Sequence, residues 1–376
     1  MSDELELGVV AAKLVPHRLP PGSISRPHLL ELLGTGRDRG LTLVSAPAGF
    51  GKTSVLTEWI GTAASTRTRF SWVSLDANDA EPVRLWRHVI ASLKRAEPGV
   101  GHRSMAALKA NPDAIARSVL PVLFQELNAG TSPIVLILDD YHRAENPSVD
   151  EQLEEFLRYR PARVQLVLAT RSDPAIGVAR LRASGELVEL RAESLRFDVT
   201  ELSRFFSVVG VKGLSEKDER RLAEQTGGWP APLRLAALLM PQQDRSSFID
   251  SFTGATRQVV DYLTRDVLDL LPAGTRDFLL RVSILRRMNG ALCDAVLGAS
   301  GSGDLLAELE RANLFVSADA DGQWYEQHQL FAGALRLELV RTRPDQVPIL
   351  HSRAAAWFAS AGDLEEATEH AIAAAT

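Results

Sequence analysis

The stretch "LTLVSAPAGFGKTSVLTEWI", Leu41 to Ile60, decides how the rest of the chain is read. Five largely apolar residues, "LTLVS", enter a turn that holds two glycines, and the amphipathic run "TSVLTEWI" leaves it. That order predicts strand, loop and helix, the setting in which a G-x-x-x-x-G-K-[ST] loop cradles phosphate. The strict signature opens on glycine, and here that slot is Ala46. It lies at the strand end and makes no side-chain contact, so alanine costs little there if φ is negative. The other positions are intact. Gly49 and Gly51 allow backbone N–H groups to turn inward around phosphate oxygens. The helix from Thr53 aims its positive end at the same anion. Lys52 is placed to reach the β- and γ-phosphates, and the Thr53 hydroxyl to bind Mg²⁺. Ala48, Gly49, Phe50, Gly51, Lys52, Thr53 and Ser54 are therefore the candidate nucleotide-binding segment.

Working outward, "SPIVLILDDYH" reads as a buried strand ending in two acids, Asp139 and Asp140. In P-loop geometry the first carboxylate serves Mg²⁺, which makes Asp139 a metal candidate beside Thr53. Asp140 is then placed to polarise an attacking water. The motif fixes the pair more firmly than the division of roles within it. A further strand ends in "VLATRSDP", so Arg171 is expected at the carboxyl edge of the sheet, where a cation can sense a γ-phosphate.

From Leu41 to about Arg191 the chain alternates short apolar runs ("LTLVSA", "RFSWVSL", "PIVLILDD", "VQLVLAT", "ELVELR") with helical patterns at Thr53–Thr62, Pro82–Ala96, Ala106–Leu127 and Asp150–Tyr159. Such alternation predicts an α/β P-loop NTPase domain built on a parallel sheet. Before it comes a Pro-rich lead-in and a short helix near Pro27, with Ser25 as its expected cap. After Phe197 the pattern becomes helical, with Thr200 and Ser215 as expected N-caps and Gly227 as a stop. "LFVSADADGQWYEQH" carries an Asp321–Gly322 hairpin turn among short helices, which suggests a winged-helix-like module. "HSRAAAWFASAGDLEEATEHAIAAAT" reads as a helical pair turning at Gly362. One such pair cannot bury its own face, so it is read as the start of an α-helical repeat array in a longer protein. The expected division is a lead-in over 1–40, a P-loop nucleotide-binding domain over 41–200, an α-helical domain over 201–262, a winged-helix-like domain over 263–345, and the start of a repeat sensor over 346–376.

Composition narrows the classes. The 376 residues are 45% hydrophobic and 24% charged, enough for two or three domains at roughly 150 residues each. A net charge of -6 argues against a chain that coats nucleic acid. One cysteine, Cys293, suits a reducing cytoplasm and reads as a core residue. "PIVLIL" is too short to span a bilayer, and the start has no signal-peptide pattern, so no membrane partner is expected. The eight histidines form no i, i+4 pair or HExxH, which argues against a zinc site. The six tryptophans read as core anchors.

The segments "SAPAGFGKTS", "WVSLDANDAEPVRLWRHVIASL", "ILDDYH", "ATRSDP", "TGGWPAPLRLAA" and "YEQHQLFAGALRLEL", in this order, resemble the large ATP-binding transcriptional regulators of the LuxR type. These are signal-transduction ATPases with numerous domains. The resemblance covers about 13–376 and implies an ATP/ADP switch with Mg²⁺. It implies rest with ADP, activation by an inducer (here unknown) together with ATP, self-association, and DNA binding only through a C-terminal domain absent from this sequence. Pro230 matches the proline that packs on adenine, and His328 the winged-helix histidine that touches the ADP β-phosphate. Arg26 lies where the family's lead-in passes the nucleotide. The expected activity is slow ATP hydrolysis that resets a switch. The alternatives are an energy-coupled P-loop ATPase of remodelling type and a nucleotide-independent scaffold.

Overall fold

The computed structural model describes residues 8–62, 67–240, 245–253, 256–319 and 321–375. The first seven residues of the lead-in, and Ala320 within the expected hairpin, lie outside the described residues. Contacts divide the chain into two compact units. The first runs to Leu195 without Pro47–Gly49; the second holds those three residues and Arg196 onward.

In the first unit, among the described residues, five strands form one parallel sheet: β1 (Leu41–Ser45), β2 (Arg69–Ser74), β3 (Ile134–Asp139), β4 (Val164–Thr170) and β5 (Leu187–Leu190). Their spatial order is β2-β3-β4-β1-β5. Every residue of β1, β3 and β4 is buried, as continuous apolar runs require in a sheet covered on both faces. The one amide among them, Gln165, is satisfied by donating to Thr42 Oγ1 at 2.9 Å. β4 lies between β1 and β3, so the loop strand and the acidic strand are two strand spacings apart, roughly 10 Å. Ser45 pairs with Thr170, and Ser74 with Asp139, so these strand ends share the carboxyl edge.

Helix Pro82–Ala96 shows how the layers lock. Glu81 caps it by accepting from Val83 N and Arg84 N, and Pro82 occupies the first turn. Leu85, Trp86, Val89, Ile90 and Leu93 form its buried stripe. The Trp86 indole N–H, fully buried, donates to Gln152 Oε1 at 2.7 Å. Three local expectations change. The pattern over Ala106–Leu127 is two α-helices, His102–Ala110 and Leu120–Ala129, because Asn111–Pro112 interrupts the ladder before a π-turn at Ile115–Val119. Helix Pro27–Thr35 starts after Arg26 without a side-chain cap from Ser25. Helix Val199–Val208 is capped by Asp198 in a reciprocal box with Glu201, two residues ahead of the expected Thr200.

The second unit is mostly helical. Ser215 caps helix Glu216–Thr226, and Gly227, left-handed, ends it. β6 (Arg287–Met288), β7 (Val316–Ala318) and β8 (Tyr325–Gln327) form a small antiparallel sheet in the order β6-β8-β7. Helices Gln346–Ala361 and Leu364–Ala375 turn at left-handed Gly362. Cys293 is buried, which pushes its thiol up to about 12. Trp59, Trp72, Trp86 and Trp229 are core residues, whereas Trp324 and Trp357 are partly exposed. No described helix is long and apolar enough to cross a membrane.

Candidate functional site

The phosphate loop leaves β1 at Ser45, and Ala46 N donates to Thr170 O at 3.3 Å. Gly49 and Gly51 take left-handed backbone (φ 76° and 83°), which their positions demand and other residues resist. Among the described residues, only Asp140, Asn313 and Phe315 are non-glycines with positive φ, so Ala46 carries no such strain. Phe50 is buried, and Lys52, Thr53 and Ser54 open the helix Lys52–Thr62.

Lys52 is 6% exposed, and its Nζ donates to Ala46 O at 2.6 Å. Burial first, then the Arg171 charge, brings its pKa down to about 8, against the pull of Asp140 and Asp139. Thr53 Oγ1 meets both Asp139 carboxylate oxygens, at 3.0 and 3.2 Å. The bond bridges the gap between β1 and β3 that β4 creates. Burial and the Asp140 charge raise Asp139 to about 6, while the Thr53 hydrogen bond and Lys52 pull it back. A carboxylate so destabilised, with a hydroxyl on it, suits a divalent cation. The cation's candidate ligands, Thr53 and Asp139, thus stand together.

Asp140 has φ 59° and ψ 39°, a conformation rarely adopted by residues other than glycine. The turn after it is pinned: Tyr141 is fully buried and its hydroxyl donates to Asp150, and Arg143 N donates to Asp140 O at 3.0 Å. Arg171 follows β4, close enough for its charge to act on both Lys52 and His142. Arg26, 6% exposed, donates to Leu195 O at 2.9 Å and Ser194 O at 3.1 Å. It thereby ties the lead-in to the end of the first unit.

Two features escape sequence reasoning. His142, quoted within "ILDDYH", takes no role from the motif. In the structure its Nδ1 is buried with no hydrogen-bond partner beside the acidic pair. In "DANDAEP", Asp79 is fully buried and accepts from Lys13 Nζ, His88 Nδ1 (2.9 Å) and Asp76 N (2.9 Å). Val10 N donates to His88 Nε2 at 3.3 Å, so this network holds the lead-in. Lys13 lies 66 residues from Asp79, beyond the reach of any local pattern.

In the second unit, Pro230 is the first residue of helix Pro230–Leu239, after Trp229. His328 stands at the start of helix Gln329–Thr342 and donates from Nε2 to Thr226 O at 3.0 Å. Its ring packs edge-on to Trp229 at 5.3 Å, and its Nδ1 is buried without a partner. Burial lowers its pKa to about 4; the Thr226 bond opposes that, and Arg196 adds to it. The candidate residues thus fall into two groups. Phe50–Ser54, the acids, Arg171 and Arg26 lie in the first unit; Ala48, Gly49, Pro230 and His328 lie in the second.

The His328 value predicts an acid-sensitive second unit. Its folded value, about 4, lies below the ordinary 6.5. Stability is therefore complete above pH 6.5, declines as pH falls towards 4, and levels off below. The loss is about 3 kcal/mol, from roughly 1.4 kcal/mol per unit. Amide exchange of helix Gln329–Thr342 at pH 7 and 4.5 measures it. The His328→Gln variant should lose much less on acidification than the parent.

Residues 264–347 match the MalT winged helix domain. Over 370 residues the chain is 34% identical to the HTH-type transcriptional regulator MalT of Serratia proteamaculans (strain 568), covering 96% of this chain and 40% of that protein. Over 359 residues it is 33% identical to the serine/threonine-protein kinase PknK of Mycobacterium tuberculosis (strain ATCC 25618 / H37Rv), covering 95% of this chain and 32% of the kinase. The chain therefore spans about a third to two fifths of the length of these relatives. Among solved structures, the Walker-type ATPase PABY2304 of Pyrococcus abyssi aligns with a TM-score of 0.56 at 15% identity, over 86% of this chain and 99% of that one, a likeness of fold. The comparisons agree with the resemblance drawn from the motifs: residues 264–347 match the MalT winged helix domain, and nearly the whole chain is similar to about two fifths of an HTH-type transcriptional regulator MalT.

Proposed function

We propose that the chain is a nucleotide-gated switch in a signal-responsive transcriptional regulator. The observation that carries this is the assembled loop: buried Lys52, the Thr53–Asp139 contact, and Asp140 held beside them in a strained turn. Two relatives with different named outputs, a regulator and a kinase, match nearly the whole chain at similar identity. That supports a module whose output is set by other parts of the protein. The same division proposed from sequence applies: lead-in 1–40, nucleotide domain 41–200, helical domain 201–262, winged helix 263–345 and sensor from 346.

Ala48–Ser54 would bind the phosphates of ATP or ADP, with Lys52 neutralising them. Thr53 and Asp139 would hold Mg²⁺, which supplies positive charge to the phosphates. Asp140 takes a proton from the attacking water as its oxygen bonds to the γ-phosphorus and the β–γ bridge breaks. Pro230 would face the adenine and His328 the diphosphate, and Arg26 would stand where the lead-in passes the nucleotide. Inducer and ATP together would favour the self-associating form, each by differential affinity for it.

The test is the nucleotide that co-purifies, read by mass, with steady-state turnover. A wild-type protein that carries none and binds none at millimolar concentration ends this reading. Turnover above about 1 per second would favour the energy-coupled ATPase instead. Asp140→Asn should lower hydrolysis about a hundredfold or more and leave ADP affinity within about twofold.

A further inference from the structure

His142 is a buried polar group beside the loop that neither the loop motif nor the acidic pair uses. It sits in the turn Tyr141–Arg143, immediately after the left-handed Asp140. That turn does not drift: the Tyr141 ring is fully buried, its hydroxyl donates to Asp150, and Ala144 N donates to Tyr141 O at 2.8 Å. The backbone strain and the buried tyrosine together set where the next side chain goes. What they set in place is an imidazole whose buried Nδ1 finds no hydrogen-bond partner. A buried polar atom left unmatched weakens the fold unless a ligand completes it.

The surroundings say which ligand. The charges acting on the ring are those of Asp140, Arg171, Lys52 and Arg143. Lys52 and Arg171 are the cations placed to meet terminal phosphates. Burial and these cations, against the pull of Asp140, bring His142 down to about 4, so at neutral pH it is uncharged and carries one N–H. A phosphate oxygen can accept from that N–H, and it also offsets the cations that crowd the ring.

We propose that His142 donates a hydrogen bond from Nδ1 to the γ-phosphate of a bound nucleoside triphosphate, so that the strained turn distinguishes triphosphate from diphosphate. This rests on the nucleotide reading of the loop and adds to it the residue that reads the third phosphate. With a diphosphate bound, Nδ1 is again unmatched. The contact therefore favours the triphosphate state and couples the turn after β3 to nucleotide identity.

Equilibrium binding of a non-hydrolysable β,γ-imido ATP analogue and of ADP, both with Mg²⁺, tests this in the intact protein. His142→Ala should weaken the analogue about tenfold and ADP less than about twofold. His142→Asn, whose side-chain N–H can stand near the Nδ1 position, should recover most of the loss. Thermal melts of the nucleotide-free variants establish that each is folded; if His142→Ala is not, the analogue-to-ADP ratio of His142→Asn against His142→Leu decides. An equal loss for both nucleotides, or an unchanged analogue affinity with slowed hydrolysis, overturns the proposal; the second outcome would make His142 a group acting on water. Wild-type protein that binds neither nucleotide removes the nucleotide reading itself. Wild-type protein that binds both, with a ratio unmoved by His142→Ala, removes only the role of His142.

Discussion

Lys52→Ala is expected to weaken ATP and ADP binding by about a hundredfold or more while the nucleotide-free protein melts no lower than the parent. The two halves of this result have one cause. Lys52 is 6% exposed and its ammonium is pushed down to about 8, by burial first and by Arg171 second. A cation held below its ordinary 10.5 makes the folded state less stable by roughly 3 kcal/mol. The hydrogen bond to Ala46 O at 2.6 Å returns part of that. Alanine removes both, and the net effect on folding is small or favourable. The sign with pH follows: below 8 the penalty is complete, and between 8 and 10.5 the parent gains stability as the unfolded chain alone keeps the proton. Lys52→Ala should lack that alkaline gain. Binding behaves oppositely, because a charge-assisted bond to phosphate is worth about 1.5–3 kcal/mol and Lys52 is placed to make more than one. Titration of a fluorescent nucleotide, with melts at pH 7 and 9.5, reads both halves. A variant that binds nucleotide like the parent would show that the loop does not hold phosphate.

The contrast between what the sequence discloses and what it hides follows the range of the interactions. β3 is legible because Pro133 and Asp139–Asp140 bound an unbroken apolar run, and helix Pro82–Ala96 because Glu81–Pro82 mark its start. The loop is legible because all its working groups lie within eight residues. Strand order is not: nothing local states that β4 enters between β1 and β3. Nor do local patterns reveal that Arg26 spends two donors on carbonyls 168 and 169 residues away, or that His328 meets Thr226. The Asp140 backbone is a further case. Left-handed backbone is uncommon outside glycine; aspartate is among the residues that tolerate it best, and the buried Tyr141 and the turn behind it hold it there. The "DANDAEP" segment carried family likeness before it carried a physical reason; that reason is a buried carboxylate gripping Lys13.

Gly228→Ala should destabilise the second unit by about 4 kcal/mol, far more than the same change at Gly210. Both glycines are left-handed, with φ 68° and 83°. That conformation alone costs alanine about 1–2 kcal/mol. A Cβ on Gly210 meets nothing within 4 Å, so the conformational term is all that applies there. A Cβ on Gly228 would lie 2.5 Å from Phe197 O and 3.2 Å from Phe197 N. These are backbone atoms and cannot swing aside. Phe197 N also donates to Gly228 O at 2.8 Å, so moving the two segments apart breaks that bond as well. The close approach joins the start of the second unit to the turn that launches helix Pro230–Leu239. It is the physical reason for the second glycine before Trp229-Pro230; the first, Gly227, ends the preceding helix. Because the chain has more than one unit, a single global midpoint would blur the effect. Amide exchange within Ala231–Leu239 reads it locally, with a loss of protection of about a thousandfold expected for Gly228→Ala and about tenfold for Gly210→Ala in its own helix end. Equal losses would mean that the clash is relieved by motion and only φ matters. The larger loss would tie the placement of Pro230 to a contact between backbones, independent of any nucleotide.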